Sequence, residues 1–122
     1  MQRMRISIPT RLSSHAFVPH GCDFFILITS PTFNIVKEYV GELPLNHMDV
    51  YRTNGKIDDL GIEEYFNNGG VTIIEWAEMI EQYLPEERLD IKIKSSGDDE
   101  NRRTIILIPH GTKYEEVCEA VI

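Results

Sequence analysis

Runs of apolar and β-branched residues, separated by turn formers, divide most of the chain into short elements. FFILI (24–28), FNIVKEY (33–39) and LNHMDVY (45–51) have the β-branched and aromatic enrichment of strands, with Ser30, Pro31 and the Gly- and Pro-containing segment 41–44 between them. IDDLGIEEYF (57–66) reads as a short helical segment. It is stopped by Asn67, Asn68, Gly69 and Gly70, residue types that tolerate the left-handed geometry of a helix end. The run VTII (71–74) cannot alternate between core and water and so predicts a strand covered on both faces, as in a parallel α/β sheet. EWAEMIEQYL (75–84) has helical character and ends before Pro85. LDIKIK (89–94) alternates apolar and polar positions, so one face of that strand is buried. A loop, SSGDDENR (95–102), joins it to RTIILI (103–108) as an antiparallel hairpin, and Thr112 with Glu115 predicts a capping box for a closing helix.

The N-terminal stretch breaks this order. Residues 1–22 contain Pro9 and Pro19, two histidines and no acid, and carry neither a helical stripe nor clean strand alternation. Charge divides at the same place: residues 1–29 hold three Arg and one Asp, whereas residues 30–122 hold nine bases and nineteen acids. The chain is therefore expected to consist of an atypical, poorly ordered segment, 1–29, and one α/β domain, 30–122. A length of 122 residues suits a single core. Its 42% apolar and 26% charged residues are those of a globular protein. The net charge of −8 opposes direct capture of nucleic acid, because phosphate neutralisation needs clustered Lys and Arg. Cys22 and Cys118 lie far apart without metal-ligand spacing, which reads as reduced, buried thiols. The longest apolar run is too short to span a bilayer, and a cytoplasmic location follows as the expectation.

Candidate chemistry is concentrated at three places. Glu75 stands at the C-terminal tip of the predicted central strand, where open α/β sheets bind ligands; it can help hold Mg²⁺ or orient a water, or serve only as a helix-starting acid favoured by the helix dipole. Asp49 lies on a strand otherwise built of Leu45, Met48, Val50 and Tyr51, and can share a magnesium ion with Glu75 or simply face water; His47, two residues earlier, reads as structural. The SPTF turn (30–33) offers two hydroxyls to a phosphate or a metal-bound water, or merely initiates a strand. The acid-rich tracts lack the ligand spacing of a calcium loop and are assigned no chemistry.

Taken in order, SPTF, IVKEY, HMDVYR, GIEEYF, VTIIEWAE and LPEERL resemble the TsaE family over residues 30–122. The resemblance implies a P-loop-NTPase-like three-layer α/β domain with a mixed, mostly parallel sheet and an antiparallel C-terminal hairpin. It also implies ATP and Mg²⁺ as cofactors and a role with TsaD and TsaB in placing threonylcarbamoyl on adenosine 37 of tRNA. The tRNA is then met only through the complex, with no DNA and no membrane involved. By the same resemblance Ser30 and Thr32 face the γ-phosphate, Asp49 is the acid of the family's HFDLYR motif, and Glu75 is the magnesium-associated acid. Trp76 and Arg103 would lie near the nucleotide.

Two departures bear on activity. Thr53 stands where the family has Leu, and no G-x-x-x-x-G-K-[ST] precedes SPTF: the first lysine is Lys37 and Gly21 is the only earlier glycine. Such a loop cradles phosphates with consecutive backbone N–H groups and a Lys, so the 122 residues are expected to bind ATP poorly and to lack the first strand and P-loop helix. Two other readings stay open, a non-catalytic module that binds TsaD and TsaB without nucleotide, and an unrelated metal-dependent phosphohydrolase.

Overall fold

The computed structural model describes residues 2–7 and 35–121, the strand 2–7 by its backbone. Within them one mixed sheet of six strands has the order β2-β3-β4-β1-β5-β6. The strands are β1 (Gln2–Ser7), β2 (Val36–Tyr39), β3 (Leu45–Asp49), β4 (Val71–Glu75), β5 (Arg88–Ser96) and β6 (Asp99–His110). The helices are α1 (Ile62–Asn67) and α2 (Thr112–Val121), with 3-10 segments at Tyr51–Thr53 and Asp58–Leu60 before α1 and at Ala77–Tyr83 after β4. No helix among the described residues is long and apolar enough to cross a membrane.

The sheet is mixed, as expected, but it is not mostly parallel. Of five strand pairings only β3 with β4 is parallel. The cause is β1, which pairs antiparallel with β4 on one side and with β5 on the other and so separates two strands that run the same way. The sequence reading assigns no strand to this stretch: the alternation of Met4 and Ile6 with Arg3, Arg5 and Ser7 is short and sits in a segment otherwise without pattern, and its pairing depends on partners distant in the chain. FFILI, the SPTF turn and Cys22 lie outside the described residues.

Two apolar clusters lie on opposite faces of the sheet, which gives three layers. On one face Met48 and Ile74 pack with Val50, Ile57, Ile62, Ala77 and Ile80, beneath α1 and the segment Ala77–Tyr83. On the other, Leu89, Tyr114 and Cys118 form a second cluster with Ile91 and Leu107 beneath α2. Cys118 is a free, buried thiol. Cross-strand register sets the faces: Met48 stands beside Ile74, while His47 stands beside Ile73 and points away from that core.

Local structure departs from the sequence reading at three positions. The stretch after Trp76 is helical but forms two 3-10 turns interrupted at Ile80 (φ −127°, ψ 30°), because this fully buried side chain is held in the core at the cost of regular backbone. The hairpin turn is tighter than an eight-residue loop, since Ser96 already pairs with Asp99 across a register shift after Ser95. The capping box does not form: Thr112 is the first residue of α2, and the residue before it is Gly111, at φ +97°, which has no side chain to cap with.

Two contacts hold α1 and the β3–β4 pair together. Thr72 Oγ1 donates to the Tyr65 carbonyl (2.9 Å) and accepts from Asn46 Nδ2 (3.2 Å), joining β3, β4 and the middle of α1 in one buried network. The chain also closes tightly where it enters β4: Val71 N donates to Pro44 O at 2.8 Å, and a Cβ on Gly70 would collide with that oxygen. Gly70→Ala therefore must push two backbone segments apart. It is expected to lower stability by at least about 1–3 kcal/mol, read as a shift of the urea midpoint. Thr72→Val keeps the volume but leaves the Asn46 amide and the Tyr65 carbonyl with only their long mutual contact of 3.4 Å, for an expected loss of about 1 kcal/mol. Thr72→Ser, which keeps the hydroxyl, should recover most of that loss in the same titration.

Candidate functional site

The parallel pair β3–β4 ends with Asp49 directly opposite Glu75. Adjacent strands lie about 4.8 Å apart, so the two acids of the sequence analysis are brought together at the carboxyl ends of neighbouring strands. Asp49 is half-buried, and its Oδ1 accepts the Tyr51 backbone N–H at 3.0 Å, which turns the chain out of the sheet. Val50 N donates to Glu75 O at 3.3 Å, fastening the two strand ends to each other just past the register pair.

Glu75 is only 5% exposed, and Oε1 lies 2.7 Å from Nε2 of His47, itself 6% exposed. The contact runs diagonally across the parallel pair, because His47 is opposite Ile73, two residues before Glu75. This partner is the residue that sequence reasoning missed. The available signal was spacing: His47 and Asp49 are i and i+2 on one strand and so share a face, and a parallel register that aligns Asp49 with Glu75 necessarily puts His47 within diagonal reach.

Trp76, immediately after Glu75, has φ +61° and ψ 34°, a left-handed conformation that is costly for a large side chain. Backbone strain of this kind amounts to about 1–3 kcal/mol and persists only where surrounding structure enforces it. Here the half-buried indole packs against the Met48 and Ile74 cluster, and its ring lies 4.9 Å from that of Tyr51 with an interplanar angle of 50°. An aromatic pair thus borders the acids, with the Tyr51 side exposed to solvent.

Arg103 is not brought to this place. The row through Glu75 continues across the sheet as Met4, Ile91 and Leu107. Arg103 is on β6, three strands or about 14 Å sideways, and four residues or about 13 Å farther along. Its Nη1 donates to the Arg102 carbonyl at 3.1 Å. Ser30 and Thr32 lie outside the described residues.

The donor set agrees with a hard divalent cation more than with a soft one. Asp49 and Glu75 offer carboxylate oxygens, and Mg²⁺ is commonly held by one or two carboxylates, with its remaining positions filled by water and phosphate oxygens. No group of three or more His, Cys, Asp or Glu suited to hold a metal occurs among the described residues, so these side chains do not form an all-protein cage. A triphosphate is not matched in the same way. The 122 residues hold no G-x-x-x-x-G-K-[ST], the motif that would bring a run of backbone N–H groups and a Lys to the phosphates.

Comparison with known proteins gives the framework for this geometry. The family described as "Threonylcarbamoyl adenosine biosynthesis protein TsaE" matches residues 12–105, so the match begins upstream of SPTF and stops before α2. The tRNA threonylcarbamoyladenosine biosynthesis protein TsaE of Bacillus subtilis (strain 168) is 52% identical over 94 residues, covering 76% of this chain and 58% of that protein. The protein of the same name from Treponema pallidum (strain Nichols) is 40% identical over 80 residues, covering 64% of this chain and 59% of the relative. That from Rickettsia bellii (strain RML369-C) is 37% identical over 85 residues, covering 67% and 58%. The chain thus spans somewhat under two thirds of the length of these relatives. An unrelated phosphohydrolase is excluded by a match this extensive, which covers the paired acids and most of the strands around them: the chain belongs to the TsaE family.

Proposed function

We propose that the chain acts in tRNA threonylcarbamoyladenosine biosynthesis as a TsaE component that carries the magnesium side of a nucleotide site and not its phosphate cradle. The observation that supports this most directly is the alignment of Asp49 with Glu75 at the ends of the parallel pair, in a chain of the TsaE family. In this reading Asp49 and Glu75 orient a hydrated Mg²⁺, with Asp49 turned outward by its bond to the Tyr51 N–H and Glu75 fixed inward. Trp76 and Tyr51 form an apolar wall at the nucleotide's side of the acids, and Ser30 and Thr32 supply hydroxyls toward phosphate. A bound Mg²⁺ would neutralise phosphate charge; the residues themselves position it and restrict water around it.

The partners in this reading are TsaD and TsaB, with tRNA held through the complex and the work done in the cytoplasm. Without the cradle, the 122 residues bind ATP weakly and function as an interaction module whose attachment to TsaD and TsaB does not need nucleotide. Isothermal titration with Mg-ATP is expected to give a Kd on the order of 1 mM or weaker. Micromolar, metal-dependent uptake by the purified chain would contradict the missing cradle. Immobilised TsaD and TsaB are expected to retain the chain equally with and without ATP; capture only in the presence of nucleotide, or no capture, removes the interaction role.

A further inference from the structure

The His47–Glu75 contact is more than a way of burying a histidine. A histidine buried for packing ordinarily satisfies both ring nitrogens, since an orphaned polar atom in the interior is costly. His47 satisfies one. Nε2 meets Glu75 Oε1 at 2.7 Å, while Nδ1 is buried with no hydrogen-bond partner. The ring is thus placed to serve the carboxylate and not its own hydrogen-bonding balance. Against a carboxylate, which only accepts, Nε2 is the donor of the pair.

We propose that His47 is a positioning residue for Glu75: by holding Oε1 it helps fix the rotamer and plane of the carboxylate, and so sets how that carboxylate is presented to a divalent cation at the end of β4. This rests on the preceding assignment of Glu75 to the metal. His47 itself is not a ligand in this role, because Mg²⁺ takes oxygen donors and the imidazole nitrogen nearest the acid is occupied by the contact. The geometry is that of an outer partner orienting an inner ligand, an arrangement in which removal of the partner commonly costs about 10–100-fold in metal affinity. The placement also explains why a strand position is used. His47 and Glu75 sit on paired, hydrogen-bonded strands, so their relative distance is fixed by backbone register and not by loop conformation.

The test is a Mn²⁺ titration of the ¹⁵N-labelled chain, following paramagnetic broadening of the backbone amides of Val50, Glu75 and Trp76, with Mn²⁺ standing in for Mg²⁺ as a hard, oxygen-seeking ion. Wild type should broaden at these amides and Glu75→Gln should not. His47→Leu should need about 10–100-fold more Mn²⁺ for the same effect. His47→Gln, which restores an N–H donor, should fall near wild type. Unchanged Mn²⁺ response in His47→Leu overturns the positioning role, as does a His47→Gln variant as defective as His47→Leu, since side-chain volume alone then accounts for the loss. Where His47→Leu does not fold, the imidazole ¹⁵N spectrum of the wild type decides: a proton on Nε2 is required, and a proton on Nδ1 instead overturns the proposal. The two levels separate cleanly. Wild type without broadening removes the metal assignment of Glu75 and the positioning role with it. Broadening that Glu75→Gln abolishes and His47→Leu leaves intact removes only the latter.

Discussion

Parallel pairing of β3 with β4 is the constraint on which the site depends. Two strands consecutive in a sheet can run in the same direction only if the chain crosses back from the end of one to the start of the other, and here residues 50–70 make that crossing over one face. The crossing is fastened at both ends. Val50 bonds to the Glu75 carbonyl where it leaves, Gly70 fits against the Pro44 carbonyl where it returns, and Asn46, Thr72 and Tyr65 lock its only α-helix to the sheet. Register follows from these contacts. A slip of β3 by one residue would turn His47 and Asp49 away from the face of Glu75 and send Met48 out of the core, so the same apolar packing that stabilises the domain also fixes the chemistry at its edge.

Burial of Glu75 then imposes its own requirement. An acidic side chain with little exposure is costly unless it is hydrogen-bonded, and a charge-assisted contact of 2.7 Å supplies that compensation. Asp49 needs no such partner, because it is less buried and its oxygen caps the backbone of its own turn. The two acids therefore differ in stiffness although they are register partners. Glu75 is held by a side chain across the sheet and is followed by a strained Trp76, whereas Asp49 is held only locally. A site built this way has one fixed oxygen donor and one adaptable donor, which suits an ion that keeps part of its hydration shell.

What the sequence made legible was what a local pattern determines. The strands of the C-terminal half, the stop at Asn68 and Gly69, the hairpin and the closing helix all follow from composition within a few residues. The two acids were also recognisable, since each ends a strand whose apolar content announces it. The position of β1 was not, because a short segment with two arginines becomes a central strand only through β4 and β5, whose backbone groups it satisfies on both sides. The same holds for His47. Its role is a property of the register between residues 28 positions apart, and nothing in HMDVYR alone distinguishes a solvated histidine from one aimed at an acid. The irregular turns after Trp76 had a local signal for helix and lost regularity to tertiary packing of Ile80.

Electrostatics decide which property these residues can express alone. The chain carries a net charge of −8, and its candidate site is two carboxylates without a lysine from a phosphate loop. Like charges about 4 Å apart repel by about 1 kcal/mol in water and about 4 kcal/mol at the lower effective dielectric near a protein surface. A triphosphate, with several negative charges, meets that repulsion at each acid unless a cation stands between them. A divalent ion meets the opposite sign: the two acids that repel phosphate attract it, and the low exposure of Glu75 reduces the screening of that attraction by salt. In the proposed reading, affinity for the cation rests with Asp49, Glu75 and the histidine set against Glu75. Affinity for the nucleotide requires donors of the opposite charge, and must come from whatever surface brings backbone N–H groups and a basic side chain to the same edge of the sheet.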